Sequence, residues 1–219
     1  MNRLAIFDCD GTLVDSQAAI CLAMEDCFSR AKLVPPSRAA TRRVVGLSLV
    51  EAIRALLPEA EADFHVALAE DYKTSFQALR SGGQVEEPLF DGLSELLGGL
   101  EEDGWLLGIA TGKSDRGLQH CLERHNMSKR FVTLQTADRH PSKPHPAMIE
   151  AALAEAGAAA EHSIMIGDTS FDMAMARAAG AIAIGVGWGY HDAQELIDAG
   201  AQHVAQQPAD ILTFTRAMA

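Results

Sequence analysis

The sequence predicts an α/β fold: a parallel sheet covered by helices on both faces, with an all-helical unit inserted after the first strand. Three observations predict it. From Gly104 onward, short and nearly continuous apolar runs alternate with helix-forming stretches, the pattern of strands buried on both faces. An equally apolar run, Leu4–Phe7, stands near the start of the chain. Between the two, from about Ser16 to Gly83, every periodic stretch has the helical spacing.

Taken in order, Leu4–Phe7 is the first strand. Asp15-Ser16 opens a helix whose apolar positions recur at Ile20, Ala23, Met24 and Cys27, and Pro35-Pro36-Ser37 ends it and caps the next. Ser48 and Glu51 are spaced as a capping box, and Pro58 closes the helix they begin. A long helix then runs to Arg80, where Gly82-Gly83 stops it. The later strands are Trp105–Ala110, Phe131–Leu134, Ser163–Ile166 and Ala181–Val186. The expected division is a core of residues 1–15 and 84–219 around a helical domain of residues 16–83. The hinges fall near Asp15 and Glu87-Pro88.

Composition narrows the function. Of 219 residues, 48% are hydrophobic and 22% charged, enough to bury a core and too apolar for disorder. Eighteen basic against thirty acidic residues give a net charge of −12, which argues against nucleic acid or an anionic membrane as a partner. The opening MNRLAIFDCDGT breaks its apolar stretch with two aspartates, unlike a secretory leader. The charge-free run Ala178–Tyr190 falls short of the roughly 20 residues a membrane span needs. Four cysteines without a C-x-x-C pair read as free thiols of a reducing compartment. A cytoplasmic monomer or homodimer is expected.

Ligands of an open parallel sheet sit beyond the carboxyl ends of its strands, so the residues that follow each strand carry the most information. They are Asp8-Cys9-Asp10-Gly11-Thr12, then Thr111-Gly112-Lys113-Ser114, then Lys143, then Gly167-Asp168-Thr169-Ser170-Phe171-Asp172. Singly, each has a plain reading. Asp10-Gly11 is a common turn, Asp168 suits a helix cap, and Lys143-Pro144 suits an exposed turn. Thr111-Gly-Lys-Ser is not a nucleotide-binding loop, because Leu107 stands where that motif needs glycine. Jointly they say more. Aspartates one residue apart on an extended chain point the same way, and close carboxylates repel unless a proton or cation lies between them. A third carboxylate at the same edge makes a hard-oxygen cluster that suits Mg²⁺, with Lys143 and Thr111 as donors to phosphoryl oxygens.

Asp8-x-Asp10-Gly11-Thr12-Leu13-Val14-Asp15-Ser16 resembles the first motif of the haloacid dehalogenase (HAD) superfamily. Thr111, Lys143-Pro144 and Gly167-Asp168-x-x-x-Asp172 resemble its second, third and fourth motifs in order. The resemblance implies a Rossmann-like, HAD-like core with an inserted helical cap, in the manner of subfamily I and of phosphoglycolate phosphatases in particular. Gly185–Ala201 leans the same way. It implies a Mg²⁺-dependent phosphatase acting on a small phosphorylated metabolite, with 2-phosphoglycolate one candidate. Asp8 would be the nucleophile that forms an aspartyl-phosphate, and Asp10 the general acid and base. Asp8, Asp168 and the Asp10 backbone carbonyl would hold the metal. Asp172 would be a ligand through water or would orient Lys143. Thr111, Gly112 and Lys143 would bind the phosphoryl group.

Rival activities within the superfamily are a dehalogenase, which Asp10 argues against, and a phosphonate hydrolase, whose cap lysine is not matched by Lys32 or Lys73. A sugar phosphomutase or a pyrophosphatase shares the motifs. A silent phosphate-sensing module would be expected to have lost Asp8 or Asp10. Lys113 reads equally as a phosphate-site residue or as a solvated lysine. Val45–Ser48, preceded by Arg42 and Arg43, is the candidate for selecting the leaving group, although the two arginines read equally as surface charges. Trp188 and Tyr190 read as packing residues, and Cys9 as a small neutral filler.

Overall fold

A computed structural model of the chain describes residues 2–218. Strand β1 (Asn2–Phe7) is followed by four helices: α1 (Gln17–Arg30), α2 (Arg38–Arg43), α3 (Leu49–Leu56) and α4 (Ala62–Ser81). Then come α5 (Leu93–Glu102), β2 (Trp105–Thr111), α6 (Asp115–Arg124), β3 (Phe131–Thr136) and α7 (Ala147–Ala156). The chain finishes with β4 (Ala158–Gly167), α8 (Ser170–Ala179), β5 (Ile182–Val186), α9 (Ala193–Asp198), β6 (His203–Ala205) and α10 (Pro208–Ala217). No helix among the described residues is long and apolar enough to cross a membrane.

All six strands are parallel, in the order β3-β2-β1-β4-β5-β6. Five of them were expected. The sixth, β6, has only three residues, too few to show a periodicity. Alternation along β1 divides the core. Ala5 and Phe7 pack under Leu93, Leu97, Leu118 and Ile211 on one face, while Leu4 and Ile6 pack under Met148, Ile149, Met173 and Ala176 on the other. The strand order reverses between β1 and β4, the crevice where such sheets bind ligands.

Helices α1, α3 and α4 share a separate cluster of Met24, Cys27, Phe28, Ile53, Leu68 and Ala69. The two strands of chain that join these helices to the sheet run side by side: the Asp15 N–H donates to the Pro88 carbonyl at 2.9 Å, and Val14 bridges Leu89 in antiparallel fashion. Ser37 caps α2 through the Ala40 N–H, as the sequence indicates. The expected capping box at Ser48 does not form. Glu51 turns instead to Arg54 at 2.8 Å, and the Ser48 N–H is taken by the Ser142 hydroxyl at 2.8 Å, so a group that would have closed the helix locally ties it to the sheet.

Ile53 is fully buried in the helical cluster. Ile53→Ala should cost about 2–5 kcal/mol, read as a lowered midpoint in urea denaturation; an unchanged midpoint would show that this cluster does not hold the helices together.

Candidate active site

Phe7 lies opposite Ile166, and the Asp8 N–H donates to the Ile166 carbonyl at 2.9 Å. The reversal of strand order therefore brings Asp8 and Asp168 together, one at the end of each neighbouring strand. Both are fully buried, as is Asp172 in the first turn of α8. Asp168 does not cap that helix. Thr169 does, in a reciprocal box with Asp172, whose Oδ2 accepts from the Thr169 N–H and hydroxyl at 3.1 and 2.7 Å. Asp172 Oδ1 remains for Lys143 Nζ, 2.6 Å away, and the same ammonium lies 2.9 Å from Asp8 Oδ1. Asp172 is thus spent on Lys143 and on its own helix.

Oxygens of Asp8, Asp168 and Asp172 lie within 4.8 Å of one another. Three carboxylates face one buried lysine, and beyond that lysine at Oδ1 the Asp8 carboxylate has no partner among the described residues, its Oδ2 none at all. Burial raises the Asp8 carboxyl to about 6 against the pull of Lys143, and raises Asp168 well above the carboxylate range, with Asp8 and Asp172 adding to the rise. Burial opposes the charge on Lys143, but Asp172 and Asp8 hold it above the usual lysine range. A dry set of hard oxygens with surplus negative charge and an orphaned acceptor, Asp8 Oδ2, fits a divalent cation such as Mg²⁺. Asp168 is aimed by the Thr12 hydroxyl at 2.8 Å and the Tyr190 N–H at 2.9 Å. A Cβ at Gly11, where φ is +86°, or at Gly189 would overlap its carboxylate.

Asp10 stands outside this trio. Its Oδ1 accepts from the Ser16 hydroxyl at 2.5 Å and from Lys113 Nζ at 2.6 Å. Lys113 is not a solvated lysine: only 9% of its side chain is exposed, and it also lies 2.9 Å from Glu87. Burial opposes its charge, but Asp10 and Glu87 hold it protonated. Glu87 is itself 2% exposed and reaches Arg80, at the end of α4, at 3.3 Å. Sequence reasoning marked Glu87 only as a hinge. Its pairing with a lysine 26 positions away depends on the return of the chain from α4, which no local pattern reports.

Thr111 closes β2, and Gly112 follows it at the point where the helical unit comes closest. A Cβ on Gly112 would lie 2.5 Å from the carbonyl oxygens of Gly46 and Leu47. That loop, Val45–Ser48, faces the aspartates as expected, but the arginines before it do not. Arg42 donates to Gln17 at 2.7 Å, and Arg43 pairs with Glu195 on α9. His191 Nε2, 3.3 Å from the Arg43 carbonyl, adds to the same seam. Trp188 packs on Phe90 and donates to the Thr12 carbonyl at 3.1 Å. Tyr190 does more than pack, since its N–H holds Asp168. Cys9 packs in the core with its sulfur 3.7 Å from that of Cys121, and all four cysteines are free.

A cavity of about 550 Å³ opens from Asp8, Asp10 and Thr111 into the helical unit. Tyr72 and Phe76 of α4 line it, and burial together with the charge of Asp10 pushes the Tyr72 phenol upward.

A buried carboxylate trio with a lysine thus lies at the switch point of a parallel sheet beneath the helical unit, and the family match together with relatives named phosphatases makes the chain a phosphoric monoester hydrolase of the HAD-like kind. The haloacid dehalogenase-like hydrolase family matches residues 5–186, and the chain belongs to that family. It is 33% identical over 221 residues to a protein named "Probable phosphatase IndB" from Dickeya dadantii, covering all of this chain and 95% of that one. It is 31% identical to tyrosine-protein kinase PtkA of Mycobacterium tuberculosis, over 95% of this chain and 70% of that protein. It is also 31% identical to a phosphoglycolate phosphatase of Agrobacterium fabrum, over 88% and 83%. The crystal structure of a hydrolase from Pseudomonas syringae is 26% identical and covers both chains fully with a TM-score of 0.86.

A cation held only by the native site stabilises it by about 2.7 kcal/mol at a hundredfold excess over Kd. For a chain of this length that is a rise of roughly 5–10 °C in melting temperature. Mg²⁺ should produce this rise in the wild type, and Asp168→Asn should abolish it. Without metal, Asp168→Asn should melt no lower than the wild type, because it relieves repulsion among buried carboxylates. A variant that keeps the full Mg²⁺ shift would contradict the metal assignment.

Proposed function

We propose that this hydrolase releases phosphate from a small phosphomonoester, in a Mg²⁺-dependent reaction that passes through an aspartyl-phosphate on Asp8. The observation that carries the reading is Asp8 itself: a buried carboxylate at a strand end whose Oδ1 is paired with Lys143 while its Oδ2 has no partner, although its neighbours' oxygens are engaged. An unengaged oxygen in a dry site is a nucleophile kept free for the reaction.

In the first step an Asp8 oxygen bonds to phosphorus as the ester P–O bond breaks, and the leaving alkoxide takes a proton from the Asp10 carboxyl. In the second step Asp10, now a carboxylate, takes a proton from water. That water attacks phosphorus, the bond to Asp8 breaks, and phosphate leaves with both aspartates restored. Ser16 and Lys113 fix the direction of Asp10. Thr111 and the Gly112 backbone bind the phosphoryl oxygens, and Lys143, held by Asp172, neutralises part of their charge. Asp8, Asp168 and the Asp10 carbonyl would hold Mg²⁺, which when bound offsets the charge of the phosphoryl group and of the two carboxylates. The helices of residues 16–83 act as a cap that keeps bulk water from the intermediate.

Transfer to a second sugar, as in a phosphomutase, or to another acceptor would share the first step, so the acceptor is what an assay must identify. Release of inorganic phosphate from p-nitrophenyl phosphate and from small phosphomonoesters, 2-phosphoglycolate included, should require Mg²⁺ and stop with EDTA. Asp8→Asn should be inactive, and Lys143→Ala should lose on the order of 10²–10³ in kcat. Near-native turnover by Asp8→Asn would end the covalent reading.

Glu87 shares the Lys113 ammonium with Asp10. Glu87→Gln removes one of the two carboxylates that hold the Lys113 ammonium in place, so the lysine no longer fixes the direction of Asp10, which slows donation to the leaving oxygen. The expected loss is roughly 10-fold in kcat for an alkyl phosphate and much less for p-nitrophenyl phosphate, whose leaving group needs no proton. Equal losses on both would assign Glu87 to cap placement alone.

A further inference from the structure

We infer that the alcohol released by this enzyme carries an apolar, ring-sized body, so that the preferred substrate is the phosphate ester of an aromatic or heteroaromatic alcohol rather than of a short acid such as glycolate. This deepens the phosphatase reading and rests on it.

Size is the first ground. The cavity of about 550 Å³ lies within the range of about 300–1,000 Å³ that takes ligands of drug size. A phosphoryl group at Asp8 and Thr111 occupies only its floor, and two carbons of glycolate would leave most of it filled by water.

The second ground is the wall. Above the aspartates the cavity is lined by Ile20, Met24, Leu47, Val50, Tyr72 and Phe76. Tyr72 and Phe76 stand one helical turn apart on α4, with ring centroids 5.9 Å apart, and both are half-buried, each with part of its surface open. Apolar surface left open inside a concave site is stabilised when a ligand's apolar surface covers it. The Tyr72 hydroxyl has no hydrogen-bond partner among the described residues, so it supplies one polar contact to a ring substituent or to the ester oxygen.

The third ground is charge. A glycolate carboxylate, buried beside Asp10, would need a cation of its own. Four cations line the cavity: Lys73, Arg80, Lys113 and Arg116. Lys73 pairs with Glu70 at 2.7 Å, Arg80 with Glu87 at 3.3 Å, and Lys113 with Asp10 and Glu87. Arg80 also lies over the Phe76 ring. Arg116 has no ion-pair partner among the described residues, and it is exposed, where water screens it. The interior of the cavity offers rings, and three of the four cations that line it are already paired.

The test compares two non-hydrolysable isosteres by calorimetric titration in the presence of Mg²⁺. Phenethylphosphonate mimics benzyl phosphate, and 3-phosphonopropionate mimics 2-phosphoglycolate. Phenethylphosphonate should bind at least about 10-fold more tightly, the scale on which an apolar pocket discriminates, and Phe76→Ala should narrow that ratio. The same order should appear in kcat/KM for the two parent esters. Equal binding, or tighter binding of 3-phosphonopropionate, would overturn the inference, and the wild-type comparison decides this even if Phe76→Ala fails to fold. The two readings fail separately. Tighter binding of phenethylphosphonate with no ester hydrolysed would defeat the phosphatase reading and leave the pocket's preference standing. Hydrolysis with the preference reversed would do the opposite.

Discussion

Three buried carboxylates set against one lysine are the constraint on which the rest of this structure depends. Asp8, Asp168 and Asp172 are all fully buried, and like charges at this range cannot all persist in a dry site without a counter-charge. Every nearby choice serves to keep them together. Lys143 spans two of them, and Asp172 is anchored in turn by the start of its helix. Thr12 and the Tyr190 backbone aim the third, and glycines at 11 and 189 leave room for it. On the proposed Mg²⁺-dependent reading, repulsion that costs stability in the free protein would be exchanged for affinity toward the cation.

A second arrangement joins the helical unit to this centre. Gly112 lets the Gly46-Leu47 backbone approach the turn after β2, and Ser142, one residue before Lys143, bonds the start of α3. Arg43 reaches α9 and Arg80 reaches Glu87 at the opposite hinge. The unit therefore meets the carboxylate centre on two sides, once at the Thr111-Gly112 turn and once through the Lys113–Asp10 pair. In the proposed mechanism, a cap seated in this way would couple closure over the leaving group to the placement of Asp10.

Much of this was legible in the chain before any coordinate. The sheet could be read because strands buried on both faces are apolar throughout, and Asp8, Thr111 and Asp168 because each stands at the end of such a strand, whereas Lys143 lies well beyond β3 and was marked by its order among the other motifs. Thr12 lay inside the first motif, within reach of sequence reasoning. What stayed hidden depends on contacts distant in sequence. Ser48 and Glu51 have the spacing of a capping box, but Ser142 and Arg54 compete for the same groups and win. Strand β6 is too short to declare itself. Lys113 reads equally as a phosphate-site residue and as a solvated lysine until the return of the chain from α4 sets Glu87 beside it, and Arg42 and Arg43 read equally as part of the selecting loop and as surface charges until Gln17 and Glu195 take them.

The central claim is that Asp8 carries the phosphoryl group between the two steps, and its most direct test is to trap that bond. Borohydride reduces an acyl phosphate to an alcohol and would convert Asp8 to homoserine. Wild-type enzyme quenched into borohydride during turnover, then digested and sequenced by mass spectrometry, should show homoserine at position 8 only when substrate and Mg²⁺ are both present. Modification at another residue, or turnover with position 8 unchanged throughout, would contradict the account.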